Sequence, residues 1–224
     1  MILTEYTLNS NKISRDYKLA LLSDFHNTKY KKILRLMPKE LDAILMPGDF
    51  VIRYTGGSNH RVKPFIEELC KLAPVYCSLG NHDLECMNSE DFKSMIAPAK
   101  ALIDESEILD ELNIAGWYYL GDDVILSGLI DKDRFNILLS HKPNWYFDYV
   151  KQYDFDLVLS GHAHGGQMRL FGIPIIAPDQ GLFPKYVNGK FDKLIISTGL
   201  SNPVHIPRLF NPKEIVIINL KAEH

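Results

Sequence analysis

Cysteine is scarce, with three in 224 residues. Cys70, Cys77 and Cys86 are odd in number, and their spacings match neither a zinc ribbon nor a redox pair. Cys70 and Cys77 fall in apolar stretches and read as small core residues. A disulfide-stapled secreted scaffold is excluded, and a reducing, cytoplasmic compartment is the expectation. Long runs of one charge are also missing. The net charge is −3, and the most basic spot, Lys29-Tyr30-Lys31-Lys32, reads as a solvated helix start. That leaves no nucleic-acid footprint, which needs a basic face. No apolar run approaches the ~18 residues that span a bilayer. Met1-Ile2-Leu3-Thr4-Glu5 carries no charged leader ahead of an apolar stretch. A chain without a signal peptide or membrane segment is therefore expected. Its oligomeric state is unreadable.

What is present is ordinary globular material: 46% hydrophobic and 24% charged residues, too apolar for disorder. A chain of this length buries a full core without staples, so a metal signal in it points to function rather than folding. No repeat, low-complexity tract or linker is visible, and one domain over 1–224 is the simplest reading.

The strongest pattern is a series of short apolar runs, each ending in polar residues. Leu19 to Ser23 leads into Asp24-Phe25-His26, and Ala43 to Met46 into Pro47-Gly48-Asp49. Val75 to Leu79 leads into Gly80-Asn81-His82-Asp83. Ile137 to Ser140 leads into His141, and Leu157 to Ser160 into Gly161-His162-Ala163-His164. Runs of this length, bounded by Gly and turn residues, suit buried strands. Helical periodicity fills gaps between them: Tyr30 to Glu40, Val62 to Leu72 and Pro143 to Tyr153. Residues 88–115 read as mostly helical with acidic breaks. Three strands are expected next, Trp117 to Leu120, Val124 to Ile130 and Phe135 to Leu139. After Gly166 the pattern returns to β at Ile173 to Ile176, Leu194 to Ser197 and Ile215 to Leu220. The expected class is α/β in a four-layer α+β arrangement: two mixed sheets packed as a sandwich, with flanking helices.

Ligands in open α/β sheets bind beyond the carboxyl ends of strands. Five strand ends here deliver Asp24, His26, Asp49, Asn81, His82, His141, His162 and His164. Five of the eight histidines stand at these ends; only His60, His205 and His224 lie elsewhere. Taken singly, Gly48-Asp49 is more often an Asx-type turn, and Asn81-His82-Asp83 could be a capped helix start. Together they form a set of O and N donors suited to first-row divalent metals.

The ordered blocks Asp24-x-His26, Gly48-Asp49, Gly80-Asn81-His82-Asp83, His141 and Gly161-His162-x-His164 resemble the signature of the calcineurin-like metallophosphoesterases. Gly165-Gly166-Gln167, with the later Asn211-Pro212-Lys213-Glu214, is similar to a bacterial branch that includes phosphodiesterases and UDP-diacylglucosamine pyrophosphatases. The resemblance implies two divalent metal ions, manganese, iron or zinc. Asp24, His26 and His164 are implied to hold the first, and Asn81, His141 and His162 the second. Asp49 is implied to bridge them and His82 to stand near the leaving group. A carboxylate has two oxygens, so Asp49 could give one to each cation. The implied reaction is hydrolysis of a small-molecule phosphate ester or diester by a metal-bound hydroxide, with His82 as general acid.

Asp83 could orient His82 or serve as a capping carboxylate. Asn27 and Gln167 sit beside ligand positions and are candidates to touch substrate. Arg53 could reach phosphate, though a salt bridge is the preferred reading. The segment from Asp83 to His141 leaves little room for a large cap domain. The alternatives are a mononuclear metallohydrolase acting on amides, a non-catalytic metal-binding scaffold, and a nucleotide-sugar pyrophosphatase with a UDP-linked substrate.

Overall fold

Leu19, Ala20 and Leu21 face two different cores in alternation, as the two-residue period of a strand requires. Leu112 to Trp117 and Leu157 to Ser160 do the same, which is why these segments read as unbroken apolar runs rather than polar alternation. The computed structural model describes residues 1–53, 59–118, 124–202 and 207–223.

In chain order the strands begin with Ile2–Ser10 (β1), Tyr17–Leu21 (β2), Ala43–Met46 (β3), Val75–Cys77 (β4) and Lys100–Ala101 (β5). Glu105–Leu109 (β6), Leu112–Trp117 (β7), Phe135–Ser140 (β8), Leu157–Ser160 (β9), Arg169–Leu170 (β10) and Ile173–Pro174 (β11) follow. Ile176–Ala177 (β12), Gly181–Leu182 (β13), Gly189–Phe191 (β14), Leu194–Ile196 (β15) and Glu214–Ala222 (β16) complete them. The helices are Lys31–Leu36 (α1), Val62–Cys70 (α2), Asn81–Cys86 (α3), Ser89–Ile96 (α4), Ile125–Gly128 (α5) and Asn144–Asp148 (α6).

Two six-stranded sheets form, in the orders β1-β16-β2-β3-β4-β5 and β14-β15-β9-β8-β7-β6. Both are mixed. β2 to β5 run parallel, as do β7, β8, β9 and β15, while β16–β2, β6–β7 and β14–β15 are antiparallel. Leu19, Leu45, Val216 and Ile218 of the first sheet pack against Ile114, Ile137, Leu159 and Ile195 of the second. Phe65, Ile66, Leu69 and Phe92 of α2 and α4 cover the outer face of the first sheet. Leu126, Tyr146 and Val150 cover that of the second. The result is the expected α/β sandwich with helices outside.

Several boundaries differ from the sequence reading. α1 stops at Leu36 because Met37 precedes Pro38, which disfavours helical backbone at Met37; its ψ is 136°. Residues 88–115 are helical only over Ser89–Ile96 and then turn to strand. Asp110, at φ 54°, makes the two-residue turn that pairs Leu109 with Leu112 in edge strand β6, where Glu105, Ser106 and Ile108 are exposed and Glu107 and Leu109 are half-buried. Val124 to Ile130 forms the short helix α5 rather than a strand, since apolar content in so short a run does not distinguish the two. Of the expected strand from Trp117 to Leu120, Trp117 ends β7 and residues 119–120 lie outside the described set. Strand β1, unanticipated, pairs in parallel with β16 as an edge strand.

Candidate metal centre

The parallel strands β2, β3 and β4 of one sheet and β8 and β9 of the other end at one rim. Their following loops bring the candidate ligands together. Asp24, His26 and His164 offer donor atoms within 4.8 Å of one another, as do Asp49, His141 and His162. Asp49 links the two groups. Its Oδ2 lies 3.5 Å from His26 Nε2 and 3.3 Å from His141 Nε2. Its Oδ1 instead accepts the His82 backbone N–H at 2.9 Å. One oxygen, not one to each group, therefore faces both sets of donors; the other is committed to orienting the carboxylate.

The histidine rings are held by their second nitrogens. His26 Nδ1 pairs with Val51 O at 2.8 Å and His141 Nδ1 with Pro47 O at 2.7 Å. A carbonyl only accepts, so Nδ1 of each ring carries a proton and Nε2 is the nitrogen left to face Asp49. These two Nε2 atoms are buried without a hydrogen-bond partner, and so is Asn81 Oδ1. Buried polar atoms left without a partner cost ~1–3 kcal/mol each unless something binds them. Two imidazole nitrogens beside the buried Asp49 carboxylate, with Asn81 Oδ1 also unpartnered, are a donor set that fits divalent cations. His164 Nε2 stands 3.5 Å from Asp24 Oδ1.

Backbone strain marks the same loops. Asp24, His26, Asn27, Asp49, His162, His164 and Gln167 all adopt positive φ, between 41° and 64°. Non-glycine residues persist there only where the surroundings over-determine them. Gly48, at φ 98°, explains one close approach: a Cβ on it would collide with the Gly80 backbone, so the β3 and β4 loops touch main chain to main chain.

Electrostatics follow from burial and pairing. Burial opposes ionisation of Asp24, but His164, His141 and His26 outweigh it and hold its carboxyl below the ordinary range. Asp49 is in the same balance with His141, His26 and His82 and lies well below. Burial pushes His141 down, yet Asp49 wins and raises it to about 9. His164 is lowered to about 3, chiefly by burial. Burial also lowers His82, whose Nε2 lies 4.0 Å from Asp49 Oδ2 and whose ring meets that of His26 edge-on at 4.7 Å.

Asp83 does not orient His82. Its buried carboxylate accepts the N–H groups of Asp49, Phe50, Val51 and Gly80 at 2.8, 2.9, 3.2 and 2.9 Å, bracing the β3 loop against the start of α3. Asn27 Oδ1 accepts Arg61 N at 2.8 Å, Gln167 Nε2 donates to Asn202 Oδ1 at 2.8 Å, and Arg53 pairs with Glu85 at 2.6 Å. All three candidates for substrate contact thus hold protein partners.

Three supporting residues were given no role by the sequence. Asp179 Oδ2 reaches His162 Nε2 at 3.2 Å and Lys142 Nζ at 2.6 Å. Asn211 Nδ2 donates to His164 O at 2.6 Å and Gln167 O at 3.2 Å, and Arg208 adds a bond to His164 O at 3.1 Å. Only Asn211 had a sequence signal, in the Asn-Pro run, and that signal named no role.

Residues 17–166 match the family model for calcineurin-like phosphoesterase, a span that holds every candidate ligand. The Bacillus subtilis metallophosphoesterase YkuE is 30% identical over 98% of this chain and 85% of its own length. The metallophosphoesterase Cj0846 of Campylobacter jejuni is 30% identical over 94% of the chain, which spans only 61% of that relative. The UDP-2,3-diacylglucosamine pyrophosphatase LpxG of Chlamydia muridarum is 28% identical over 82% of the chain and 67% of its length. No helix among the described residues is long and apolar enough to cross a membrane.

Proposed function

The chain belongs to the calcineurin-like phosphoesterase family, and from that premise we propose a dinuclear phosphodiesterase acting on a small-molecule phosphate diester. Asp24, His26 and His164 would hold one divalent cation, and Asn81, His141 and His162 the other, with Asp49 placed between the two sets. The observation that carries this reading is Asp49 Oδ2, within 3.5 Å of the unpartnered Nε2 of His26 and within 3.3 Å of that of His141. Manganese, iron or zinc suits the N/O donor set equally. Bound there, such cations supply Lewis-acid charge neutralisation and an activated water at neutral pH.

The chain's own residues do the rest. Two carboxylates, Asp24 and Asp49, leave net positive charge beside two divalent ions, so the pocket attracts a phosphate on an otherwise mildly acidic protein. His82, just outside the two donor groups, is placed to donate a proton to the leaving oxygen. Burial lowers its pKa, and a further anion against the ring, such as a phosphate ester, acts in the opposite direction. Asp179 and Asn211 keep the His162 and His164 loops in register. We read residues 1–224 as one domain working in a reducing, cytoplasmic setting, in keeping with three free cysteines.

A second reading, a UDP-linked nucleotide-sugar pyrophosphatase, has the named activity of the Chlamydia relative in its favour. A panel of phosphomonoesters, phosphodiesters and nucleotide pyrophosphates, run with each metal added back, separates the two. Diester turnover that exceeds the others supports the proposal. Turnover confined to monoesters, or to pyrophosphates, overturns it.

A further inference from the structure

Two lysines of the basic run Lys29-Tyr30-Lys31-Lys32 do more than solvate the start of α1: they line a cleft of about 590 Å³. Asn27, Thr28, Lys29, Lys32, Arg61 and Lys213 supply its polar lining, and no acidic residue lines it. An adjoining groove shares Lys29, Lys32 and Arg61, adds Lys31, and holds no acid either. Four cations thus meet in one cleft of a chain with 25 basic and 28 acidic residues.

The cleft abuts the loops of the metal centre. Asn27 directly follows His26. Leu200, another lining residue, donates its N–H to Ser23 O at 2.9 Å and follows Gly199, where a Cβ would meet the Asp24 side chain at 2.8 Å. The cleft's cations are nevertheless outside both sets of metal donors.

Nothing acidic answers these charges. Among the described residues, Lys29, Lys32, Arg61 and Lys213 form no ion pair. The acids nearest in sequence are engaged elsewhere. Glu67 and Glu68 of α2 act on Lys71, and Glu214 accepts Thr4 Oγ1 and Thr198 N. Arg61 is held in place by neutral groups: its N–H donates to Asn27 Oδ1 at 2.8 Å and its Nη1 to Asn27 O at 3.3 Å. Its charge is therefore positioned but not neutralised. Lys213 is half-buried, and burial together with the Arg208 charge lowers its pKa. Crowded cations without counter-charges repel one another unless an anion joins them. A carboxylate brings one negative charge, whereas a terminal phosphate brings up to two and three acceptor oxygens, the closer match to four donors of this kind.

We propose that this cleft is a second phosphate site, next to the metal centre, for a phosphate group other than the one held by the metals. The binding holds whatever the metal centre hydrolyses; only its place on a substrate rests on the phosphoesterase reading.

Equilibrium dialysis of the zinc-loaded full chain against radiolabelled inorganic phosphate at low ionic strength tests it. Two phosphates per chain are expected, the one in the cleft weakening as salt rises. Lys29→Gln and Lys32→Gln should each weaken the cleft phosphate about tenfold, and the double variant should bind one phosphate fewer than the native chain. Both lysines are exposed, so Tm and metal content should match the native values. Lys213→Gln, expected to weaken it about tenfold as well, keeps the test valid should the double variant misfold. A native chain that binds one phosphate and a double variant that binds none would refute a phosphate at the metal centre and still support the cleft. The proposal is overturned if the glutamine variants bind as many phosphates, as tightly, as the native chain. A second arm compares a chromogenic diester bearing a phosphate tail with the same ester bearing a hydroxyl tail. A KM about tenfold lower for the phosphate-tailed ester, with the ratio falling to one in the double variant, assigns the site to the substrate. Equal KM values beside retained phosphate binding assign it to a separate anion.

Discussion

Asp83→Asn is a sharp test of how the β3 loop is held. Oδ1 of Asp83 accepts Phe50 N and Val51 N, and Oδ2 accepts Asp49 N and Gly80 N. All four contacts are donors, so the ionised carboxylate is the form they fit. An amide keeps one oxygen and turns an NH2 group toward the other two donors. Two buried N–H groups then lack an acceptor, at about 1–3 kcal/mol each. Burial and the Asp49 carboxylate work the other way: they push the Asp83 pKa up to about 7, so removing the charge recovers part of the loss. The net expectation is a loss of about 2–4 kcal/mol, a large share of the ~5–15 kcal/mol that holds a domain folded. Urea unfolding followed through Trp117 and Trp145 fluorescence should show a lower midpoint with an unchanged slope. Metal titration should show weaker loading, because Asp49 sits on the displaced loop. A native midpoint together with native loading would refute the bracing role.

Other substitutions probe other links. Gly48→Ala places a Cβ against the Gly80 backbone at φ 98° and should cost more than the ~1–3 kcal/mol of ordinary backbone strain, read as a lowered Tm with impaired metal loading. Asn211→Ala removes both bonds to the His164 and Gln167 carbonyls and should weaken metal affinity by about 10–100-fold, measured by calorimetry. His82→Gln should keep both metals, yet slow a diester with a poor leaving group by about 10²–10⁴-fold and spare one with a good leaving group. An equal fall for both esters would remove His82 from proton transfer.

The sequence disclosed the site better than its supports, for a physical reason. Ligand residues follow strands buried on both faces, and such strands are visible as apolar runs: Ala43 to Met46 and Leu157 to Ser160 match β3 and β9 residue for residue. Supporting contacts have no local pattern. Asp179 meets His162 from 17 residues away, and Asn211 meets His164 from 47 away. Asp83 was visible as a residue but not as a brace, since its partners are backbone N–H groups that any sequence would supply. Edge strand β6 was hidden because its two glutamates and the Asp110 turn imitate an acidic helix. Left-handed backbone at Phe171, Phe183 and Phe210 was invisible too, because residue type alone never predicts positive φ for an aromatic.

The central claim is that the donors gathered around Asp49 would hold two cations side by side, and electron paramagnetic resonance of the manganese-loaded chain tests it most directly. Two manganese ions per chain with an exchange-coupled spectrum are expected, and the coupling should vanish in Asp49→Ala. A single ion per chain, or two with the spectrum of isolated centres, would contradict the account.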